Sequence, residues 1–545
     1  MFDETHRVTN QPPPFRDVNL FEVDPTLQEA VAAYDGGWGR DALSAYGALA
    51  GGELRRHGEL ANRFAPELVS YDPYGHRIDR VEFHPSYHAL MSAAVAHGVH
   101  SLPWETDRTG AQAVRAALEL LHNQADSGTD CPITMTFASV PALRAEPDLA
   151  AIWVPRILSR RYDASTQPAA HKSGLTIGMA MTEKQGGTDV RANSSRAQPA
   201  NESRGPGEAF RLTGHKWFCS APMSDAFLTL AYLDGGLTCF LMPRVLPDGE
   251  RNAIRIERLK DKLGNRSNAS AEIEFDGALA WRLGPPGRGV ATILTMVVMT
   301  RFNCIVGSTA LMRHAAMQVL HHIAHRSVGG AKLIDAPLMR NVAADLVLES
   351  EAALWLSMRI ARSIERRDDE REALFARLAT ALGKYWICKR TPQHVNEAQE
   401  CLGGLGYIED HVMARLYREA PVNSIWEGSG NVQCVDLLRA LARSPETVDA
   451  YFAEIDLARG EHRALDRARD ALGAELRTGP SDPFAARRLA EQMALTLEAS
   501  LLARHASGAI ASEFVASRLE PTRLAYGTLT DARAVDALLS RFALP

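Results

Sequence analysis

The 545-residue sequence lacks several features that mark particular classes of protein. Its seven cysteines are an odd number without a CxxC pair, which argues against a disulfide framework and against a zinc site. No apolar run reaches the roughly 18 residues that a membrane span needs, and the acidic N-terminus does not read as a secretory signal. We therefore expect reduced, mostly buried cysteines, a cytoplasmic location and no membrane partner.

Basic residues are too few for a dedicated nucleic-acid binder, and lysine is scarce among them. Lysine and arginine together number 60 against 66 acids, which gives a formal net charge of −6. Only eight of the 60 are lysine, which leaves 52 arginines. Genome composition bias is one explanation, and arginine-mediated phosphate recognition is the other. Any nucleic-acid site would have to be a local patch.

Hydrophobic periodicity changes along the chain. Alanine-rich stretches with apolar residues three and four apart are typical of helices. Short runs with period-2 or continuous apolar character, separated by turns such as Asp234-Gly-Gly, are typical of strands. The sequence therefore predicts an α+β protein with an N-terminal helical domain, a middle β-domain, a C-terminal helical bundle and an extra C-terminal helical domain with a break at Gly479-Pro-Ser-Asp-Pro. The predicted segments are residues 1–175, 176–285, 286–440 and 441–545.

A glycine pair between two threonines lies near the start of the predicted β-domain. Thr182 and Thr188 flank Gly186 and Gly187 in the sequence TEKQGGTDV. Glycine lets the backbone approach a ligand closely and frees its N–H groups to point at that ligand, while the threonines add side-chain donors. The segment suits a planar heterocycle with a phosphate. A polar loop with a helix-capping residue is the alternative.

An isolated acid lies in a second glycine-rich region. Glu427 follows Ile425 and Trp426, and it precedes Gly428-Ser-Gly. An acid in apolar company has a raised pKa and can act as a base near neutral pH. A helix-terminal acid without chemistry is the alternative for Glu427.

The two segments, with a β-domain between two helical ones, resemble the acyl-CoA dehydrogenase superfamily over about residues 150–440. The resemblance implies an acyl-CoA dehydrogenase-like fold, FAD as cofactor, an acyl-CoA substrate and Glu427 as the catalytic base, whose backbone N–H would be an oxyanion donor. In such a reaction a carboxylate removes the Cα proton of the thioester while the oxidised flavin accepts hydride from Cβ. Relatives are usually homotetramers.

The resemblance also assigns roles residue by residue. Thr182 would bond the flavin, Thr188 the phosphate end, and Phe218 and Ser220 would stand where relatives have tryptophan and threonine. The cofactor-binding residues implied are Met179, Ala180, Met181, Thr182, Thr188, Phe218, Cys219, Ser220, Arg326, Ile425, Trp426, Gly428, Ser429 and Asn431.

Two positions depart from the superfamily pattern. Gly329 replaces the aromatic residue that follows Arg326 in relatives, where the arginine reaches the FAD of a neighbouring subunit. Arg301 would line the substrate channel, but Val298 replaces an acidic neighbour there. The second change weakens the expectation of an ordinary CoA chain.

The long N-terminal extension, residues 258–270 and the C-terminal extension resemble one branch of the superfamily, the flavoproteins of the adaptive response to DNA alkylation. This resemblance implies a partner in double-stranded DNA together with weak acyl-CoA dehydrogenase activity. A conventional acyl-CoA dehydrogenase and a flavoenzyme that destroys alkylating agents remain the alternatives.

Arg439 and Arg443 are the candidate DNA-binding residues. Their i, i+4 spacing places two guanidinium groups on one helix face, where they can meet successive phosphates. The alternative is that both are solvated or paired with acids. Histidines 321, 322 and 325 also lie close in sequence, but no third ligand is evident, so no metal site is predicted.

Overall fold

The computed structural model describes residues 5–200, 207–477, 482–520 and 525–544. The chain forms two compact units. The first, called here the helical unit, consists of Met1–Gly52, Gln112–Gln124 and Cys304–Pro545. The second, called here the sheet unit, consists of Glu53–Ala111 and Ala125–Asn303. The predicted break at residues 479–483 lies mostly outside the described residues.

The first 175 residues are mainly helical, as expected, but they also contain a two-stranded hairpin that periodicity did not indicate. Aspartate at residue 24 caps the first helix through a hydrogen bond from the backbone N–H of Leu27 (3.0 Å), and Pro25 occupies its first turn. The elements are α1 (Pro25–Ala33), α2 (Arg40–Gly51), α3 (Glu53–Arg63), β1 (Glu67–Tyr71), β2 (Arg77–Glu82), α4 (Pro85–Ala96), α5 (Leu102–Glu105), α6 (Ala111–Ala125), α7 (Asp130–Leu143) and α8 (Pro147–Ile157).

A seven-stranded sheet dominates the sheet unit. Strands β6, β4, β5, β9 and β7 pair in that order, and β7 pairs back to β6, so this part of the sheet closes on itself. Strand β3 adds to β6 in parallel and β8 adds to β9. The strands are β3 (Ile177–Ala180), β4 (Arg196–Pro199), β5 (Ala209–Ser220), β6 (Ala226–Leu233), β7 (Gly236–Pro243), β8 (Ile254–Leu259) and β9 (Ser270–Leu283).

Alternating side chains fill the interior of this sheet. Phe210, Leu212, Phe227, Phe240 and Phe275 are all buried in one hydrophobic cluster. Closure leaves few exposed strand edges, which protects the apolar runs that the sequence shows. The β1–β2 hairpin is held against β8, because Asp79 Oδ2 accepts a hydrogen bond of 3.2 Å from the Ile256 backbone N–H.

Long helices follow the sheet. Helix α9 (Gly289–His325) has a window with a mean hydropathy of 1.7, which by length and composition alone is enough to cross a membrane, and 67% of that window is buried within the structure. The elements that follow are β10 (Ser327–Val328), β11 (Ala331–Lys332), α10 (Pro337–Glu365), α11 (Glu370–Cys401), α12 (Gly404–Tyr407), α13 (Val412–Glu419) and α14 (Gly430–Arg443).

The C-terminal extension is helical and is fastened to the bundle by buried ion pairs within the helical unit. Arg518 contacts Asp345 and lies 3.0 Å from Glu349, both on α10. Arg359 of α10 reaches Glu454 at 2.8 Å. Breaking such a pair would leave an uncompensated buried charge, so the extension is an integral part of the unit. Its helices are α15 (Glu446–Ile455), α16 (Arg463–Arg477), α17 (Ala486–His505), α18 (Gly508–Arg518) and α19 (Ala532–Leu539).

All seven cysteines are buried and unbridged, which confirms the expectation from the sequence.

Candidate active site

The threonine–glycine segment forms an exposed loop at the end of β3 in the sheet unit. Met179 and Ala180 are the last residues of the strand, and Met181 and Thr182 follow it. Gly186 has φ 143°, and a Cβ added to Gly187 would lie 2.5 Å from Thr182 Oγ1, so neither position accommodates a larger residue easily. Thr188 is exposed at the far end of the loop.

Backbone contacts hold this loop beside β5. The Trp217 N–H donates to the carbonyl of Thr182 at 2.7 Å, and the Lys184 N–H donates to His215 Nε2 at 3.1 Å. Thr182 is thereby brought next to the strand that carries Phe218 and Ser220. The structure thus brings together the residues of the sheet unit that the sequence assigned to the flavin ring.

A buried ion pair beneath the loop was not anticipated from the sequence. Lys216 Nζ lies 2.8 Å from Glu183 Oε1, and both side chains are fully buried. The same carboxylate accepts hydrogen bonds from Ser194 and Ser195, both backbone and hydroxyl. Burial raises the pKa of Glu183, but the Lys216 ammonium and these hydrogen bonds outweigh it and hold the pKa below its usual range.

Strand β5 presents an aromatic face beside the loop. Phe218 is 46% exposed, Ser220 lies two residues further on the same face, and Cys219 points into the core. Burial raises the pKa of the Cys219 thiol, so this residue is a structural and unreactive cysteine. An exposed ring beside hydroxyl donors and a glycine loop fits the planar ring and phosphates of FAD.

Arg301 and Arg326 belong to different units of the structure. Arg301 is a half-buried residue of α9 in the sheet unit. Arg326 directly follows α9 in the helical unit, where its Nη1 donates to the Asn10 carbonyl at 2.6 Å. The roles predicted for the two arginines, in the substrate channel and at a neighbouring subunit's FAD, stay predictions.

The segment that carries Glu427 is a tight turn between a short 3-10 helix and α14 in the helical unit. Glu427 has φ 58° and Gly428 has φ 98°, both in the left-handed region. A Cβ on Gly428 would lie 2.8 Å from Gln433 Nε2, so glycine is needed there. A non-glycine residue at positive φ is uncommon and is favoured only where the surroundings impose it.

The remaining residues assigned to this segment lie around the same turn. Ile425 is 65% exposed, and Trp426 Nε1 donates to Asn423 Oδ1 at 2.9 Å. Ser429 occupies the N-cap position of α14, and Asn431 Oδ1 accepts a hydrogen bond of 2.8 Å from Arg487 Nε.

Lys384 anchors this turn, and sequence reasoning missed it. Its buried ammonium donates to the backbone carbonyls of Asn423 (2.6 Å), Trp426 (2.9 Å) and Gly428 (3.2 Å). These carbonyls flank Glu427 on both sides. Gln433 Nε2 adds bonds to the carbonyls of Glu427 (3.2 Å) and Gly428 (3.0 Å). The backbone that presents the carboxylate is therefore fixed by one cation and one amide.

Replacing Lys384 with methionine is expected to lower kcat about tenfold, with a smaller effect on KM and an unchanged FAD content. Charge-assisted hydrogen bonds contribute about 1.5–3 kcal/mol, and about 1.4 kcal/mol corresponds to a tenfold change in rate. Steady-state kinetics would measure the effects on kcat and KM separately. The control is Lys332→Met, which changes an exposed lysine of β11. An unchanged kcat would show that Lys384 does not position Glu427.

Comparison with known proteins assigns the chain to a family. Residues 10–164 match the N-terminal domain of the adaptive response protein AidB. Residues 178–278 and 287–442 match the middle and C-terminal domains of acyl-CoA dehydrogenases. AidB of Escherichia coli (strain K12) is 49% identical over 477 residues, which is 87% of each chain. Acyl-CoA dehydrogenase family member 11 of Caenorhabditis elegans is 30% identical over 460 residues, 80% of this chain and 72% of that protein.

Solved structures share the fold, and one of them aligns with the whole chain. The crystal structure of Caenorhabditis elegans ACDH-11 in complex with C11-CoA has a TM-score of 0.85 at 26% identity and covers 100% of this chain and 93% of that one. An acyl-CoA dehydrogenase from Bacillus anthracis complexed with FAD has a TM-score of 0.63 at 16% identity, covering 84% of this chain and 81% of that one, and shows the fold alone. The α+β architecture predicted from the sequence is confirmed. The chain belongs to the acyl-CoA dehydrogenase superfamily, in its AidB branch, and is an FAD-dependent oxidoreductase of the acyl-CoA dehydrogenase type.

Proposed function

We propose that the protein is a DNA-binding flavoprotein of the response to alkylation that retains weak acyl-CoA dehydrogenase activity through Glu427. The observation that carries the redox part is the turn at Glu427, whose carbonyls are held by Lys384 and Gln433. A base on so constrained a backbone keeps its position through the reaction, which is what general-base catalysis requires.

In this proposal each side chain has one task. The Glu427 carboxylate takes the proton from Cα of the acyl thioester, and its backbone N–H donates to the thioester oxygen as negative charge develops there. Thr182, Phe218 and Ser220 hold the ring of the cofactor against β5. Bound FAD supplies the hydride acceptor.

The DNA part rests on two exposed arginines at the end of α14. Most arginines of the C-terminal extension are already paired with acids, for example Arg467 with Glu520 and Arg488 with Glu475. Arg439 and Arg443 are exposed, and neither forms an ion pair with any residue that the structure describes. They share one helix face, so both guanidinium groups are available to phosphates.

The same proposal includes a cytoplasmic location and a homotetramer. Seven reduced cysteines suit a reducing compartment. In a tetramer the arginine pair would repeat, so weak phosphate contacts could add through multivalency.

Duplex DNA is expected to bind with a strong salt dependence, and the double variant Arg439→Ala, Arg443→Ala should weaken binding and flatten that dependence. Each phosphate contact contributes about −0.9 to the slope of log affinity against log salt concentration, so losing two should reduce its steepness by about 1.8. Fluorescence anisotropy of a labelled duplex, titrated at several salt concentrations, measures the slope.

The matched control is Arg467→Ala, Arg488→Ala, which removes the same charge from two exposed arginines that are already ion-paired. No binding at low salt, or an unchanged slope in the Arg439, Arg443 variant, would reject this DNA site. An anaerobic titration with short acyl-CoA esters, followed by flavin bleaching, tests the redox part separately. Consumption of an alkylating agent by the FAD-loaded protein, without flavin reduction by acyl-CoA esters, would favour the detoxifying flavoenzyme.

A further inference from the structure

A cavity of about 360 Å³ lies within the sheet unit, away from the residues assigned to the flavin. It is bordered by β2, α4, the segment after α8, the segment before β6 and Arg244, which directly follows β7. None of the residues from Met179 to Thr188 or from Phe218 to Ser220 lines it. This volume falls within the usual range for small-molecule pockets, about 300–1,000 Å³.

Two polar groups that line the cavity, the Arg244 guanidinium and the Ser224 hydroxyl, can still donate hydrogen bonds to a ligand. Arg244 Nε donates to the Ser224 carbonyl at 3.2 Å, and the guanidinium forms no ion pair with any described residue. The Ser224 hydroxyl is 3% exposed as a residue and makes no hydrogen bond within the described part of the chain. A buried donor without an acceptor costs free energy, so both groups favour an incoming acceptor.

The two acids near these groups, Asp163 and Asp225, already have hydrogen-bond or ion-pair partners within the protein. Asp225 is 2.6 Å from Lys172 Nζ and accepts the Thr176 backbone N–H at 2.8 Å. Asp163 accepts the Ser165 hydroxyl at 2.6 Å, and despite the cost of burial its hydrogen bonds lower its pKa to about 2, so it is ionised at neutral pH.

Charge balance limits what the cavity can hold. Arg80 pairs with Glu82 at the mouth, so this pair adds no net charge. Lys172 is paired with Asp225, so the Arg244 guanidinium is the one lining cation without an ion-pair partner among the described residues and can accept one negative charge. The ionised Asp163, which also lines the cavity, disfavours a second.

The walls of the cavity are aromatic and apolar. Phe83 stacks on Tyr87 with ring centroids 3.9 Å apart, and Met91 and Met223 complete the apolar surface. His88 shares a hydrogen bond of 3.1 Å with the Tyr162 hydroxyl, and burial lowers the pKa of its imidazole. His88 therefore adds no cation to the site at neutral pH.

We propose that this cavity binds a small monocarboxylate with an aromatic or short aliphatic body. A planar guanidinium matches the two oxygens of a carboxylate, and the Ser224 hydroxyl adds a further donor beside it. The body of the ligand packs between Phe83, Tyr87 and the two methionines. A dianionic phosphate would bring a second negative charge near Asp163 and Asp225, so the site selects against it.

Calorimetric titration of the FAD-loaded Glu427→Gln protein with 4-phenylbutyrate tests the proposal. One site per chain is expected, and inorganic phosphate should not compete. Arg244→Met should raise the Kd at least tenfold, whereas Arg255→Met, which removes the same charge from an exposed strand residue that does not line the cavity, should leave it unchanged. Thr166→Trp, at an exposed lining position, should block entry without touching the core.

Three results would overturn the proposal. The first is no binding, the second is a Kd for Arg244→Met and Thr166→Trp equal to that of the Glu427→Gln protein without these changes, and the third is displacement of 4-phenylbutyrate by saturating octanoyl-CoA, which would place the probe in the substrate site. Because Glu427→Gln prevents turnover, the result does not depend on whether the chain is an active dehydrogenase. If Arg244→Met fails to fold, Thr166→Trp still decides the question.

Discussion

Glu427→Gln is expected to slow acyl-CoA-dependent flavin reduction by at least about 10²-fold while FAD stays bound, because the amide keeps the shape and hydrogen bonding of the side chain but cannot accept the proton. The turn should survive the change. Its hydrogen bonds to Lys384 and Gln433 are made by backbone carbonyls and not by the carboxylate. Anaerobic stopped-flow absorbance of the flavin with excess acyl-CoA measures the rate.

The control for this variant is Glu409→Gln, which changes an acid in the same region that pairs with Arg418 at the surface. It should reduce flavin at the wild-type rate. Reduction by Glu427→Gln at the wild-type rate would place the base elsewhere, and loss of FAD would make the variant uninformative about catalysis unless the cofactor were restored by reconstitution.

Lys216→Met is expected to lower the free energy of unfolding by about 3–5 kcal/mol, since it leaves the Glu183 carboxylate buried without its cation. The loop that Glu183 supports should loosen, so FAD should be released earlier in a thermal ramp. Urea unfolding followed by circular dichroism gives the free energy, and flavin fluorescence reports cofactor release.

Lys184→Met is the matched control, because Lys184 lies in the same loop but its ion pair with Glu274, at 3.5 Å, is half exposed. Exposed pairs contribute at most about 1 kcal/mol. Equal losses of unfolding free energy in Lys216→Met and Lys184→Met would show that the buried ion pair does not support the loop.

Lowering the pH should reduce the difference in the free energy of unfolding between Lys216→Met and the wild type. In the wild type the pKa of Glu183 is held below its usual range, so its contribution to stability is present above the unfolded pKa and is lost as pH falls through the folded pKa. In the variant the Lys216 ammonium no longer lowers the pKa of Glu183, so this carboxyl takes up its proton at a higher pH than in the wild type, and protonation relieves the buried charge. The loss of unfolding free energy caused by Lys216→Met should therefore be smaller near pH 5 than at pH 7.

Local patterns in the sequence were sufficient for the α+β architecture, whereas the roles of the site residues came from the resemblance to a family and stay predictions. Strand β5 alternates between buried and exposed residues over Phe210–Thr213, as a period-2 run predicts. Strands β6 and β7 are buried on both faces and were predicted from continuous apolar runs bounded by turns. Gly186 and Gly428 have positive φ and Gly187 closely approaches Thr182, which explains why glycine is favoured at all three positions. The two-stranded hairpin at Glu67–Glu82 was not predicted, since its strands are mostly half exposed and lack strict alternation.

Only the tertiary structure decided which charged residues support the site. Glu183 and Lys216 are 33 positions apart, and Lys384 is 39 positions or more from the carbonyls it binds, so no local pattern indicates these pairs. Nothing in the sequence distinguishes Arg439 and Arg443 from Arg467 or Arg488, whose acids come from other elements. Ion pairing depends on distances between side chains that are remote in sequence, and folding of the whole chain sets those distances.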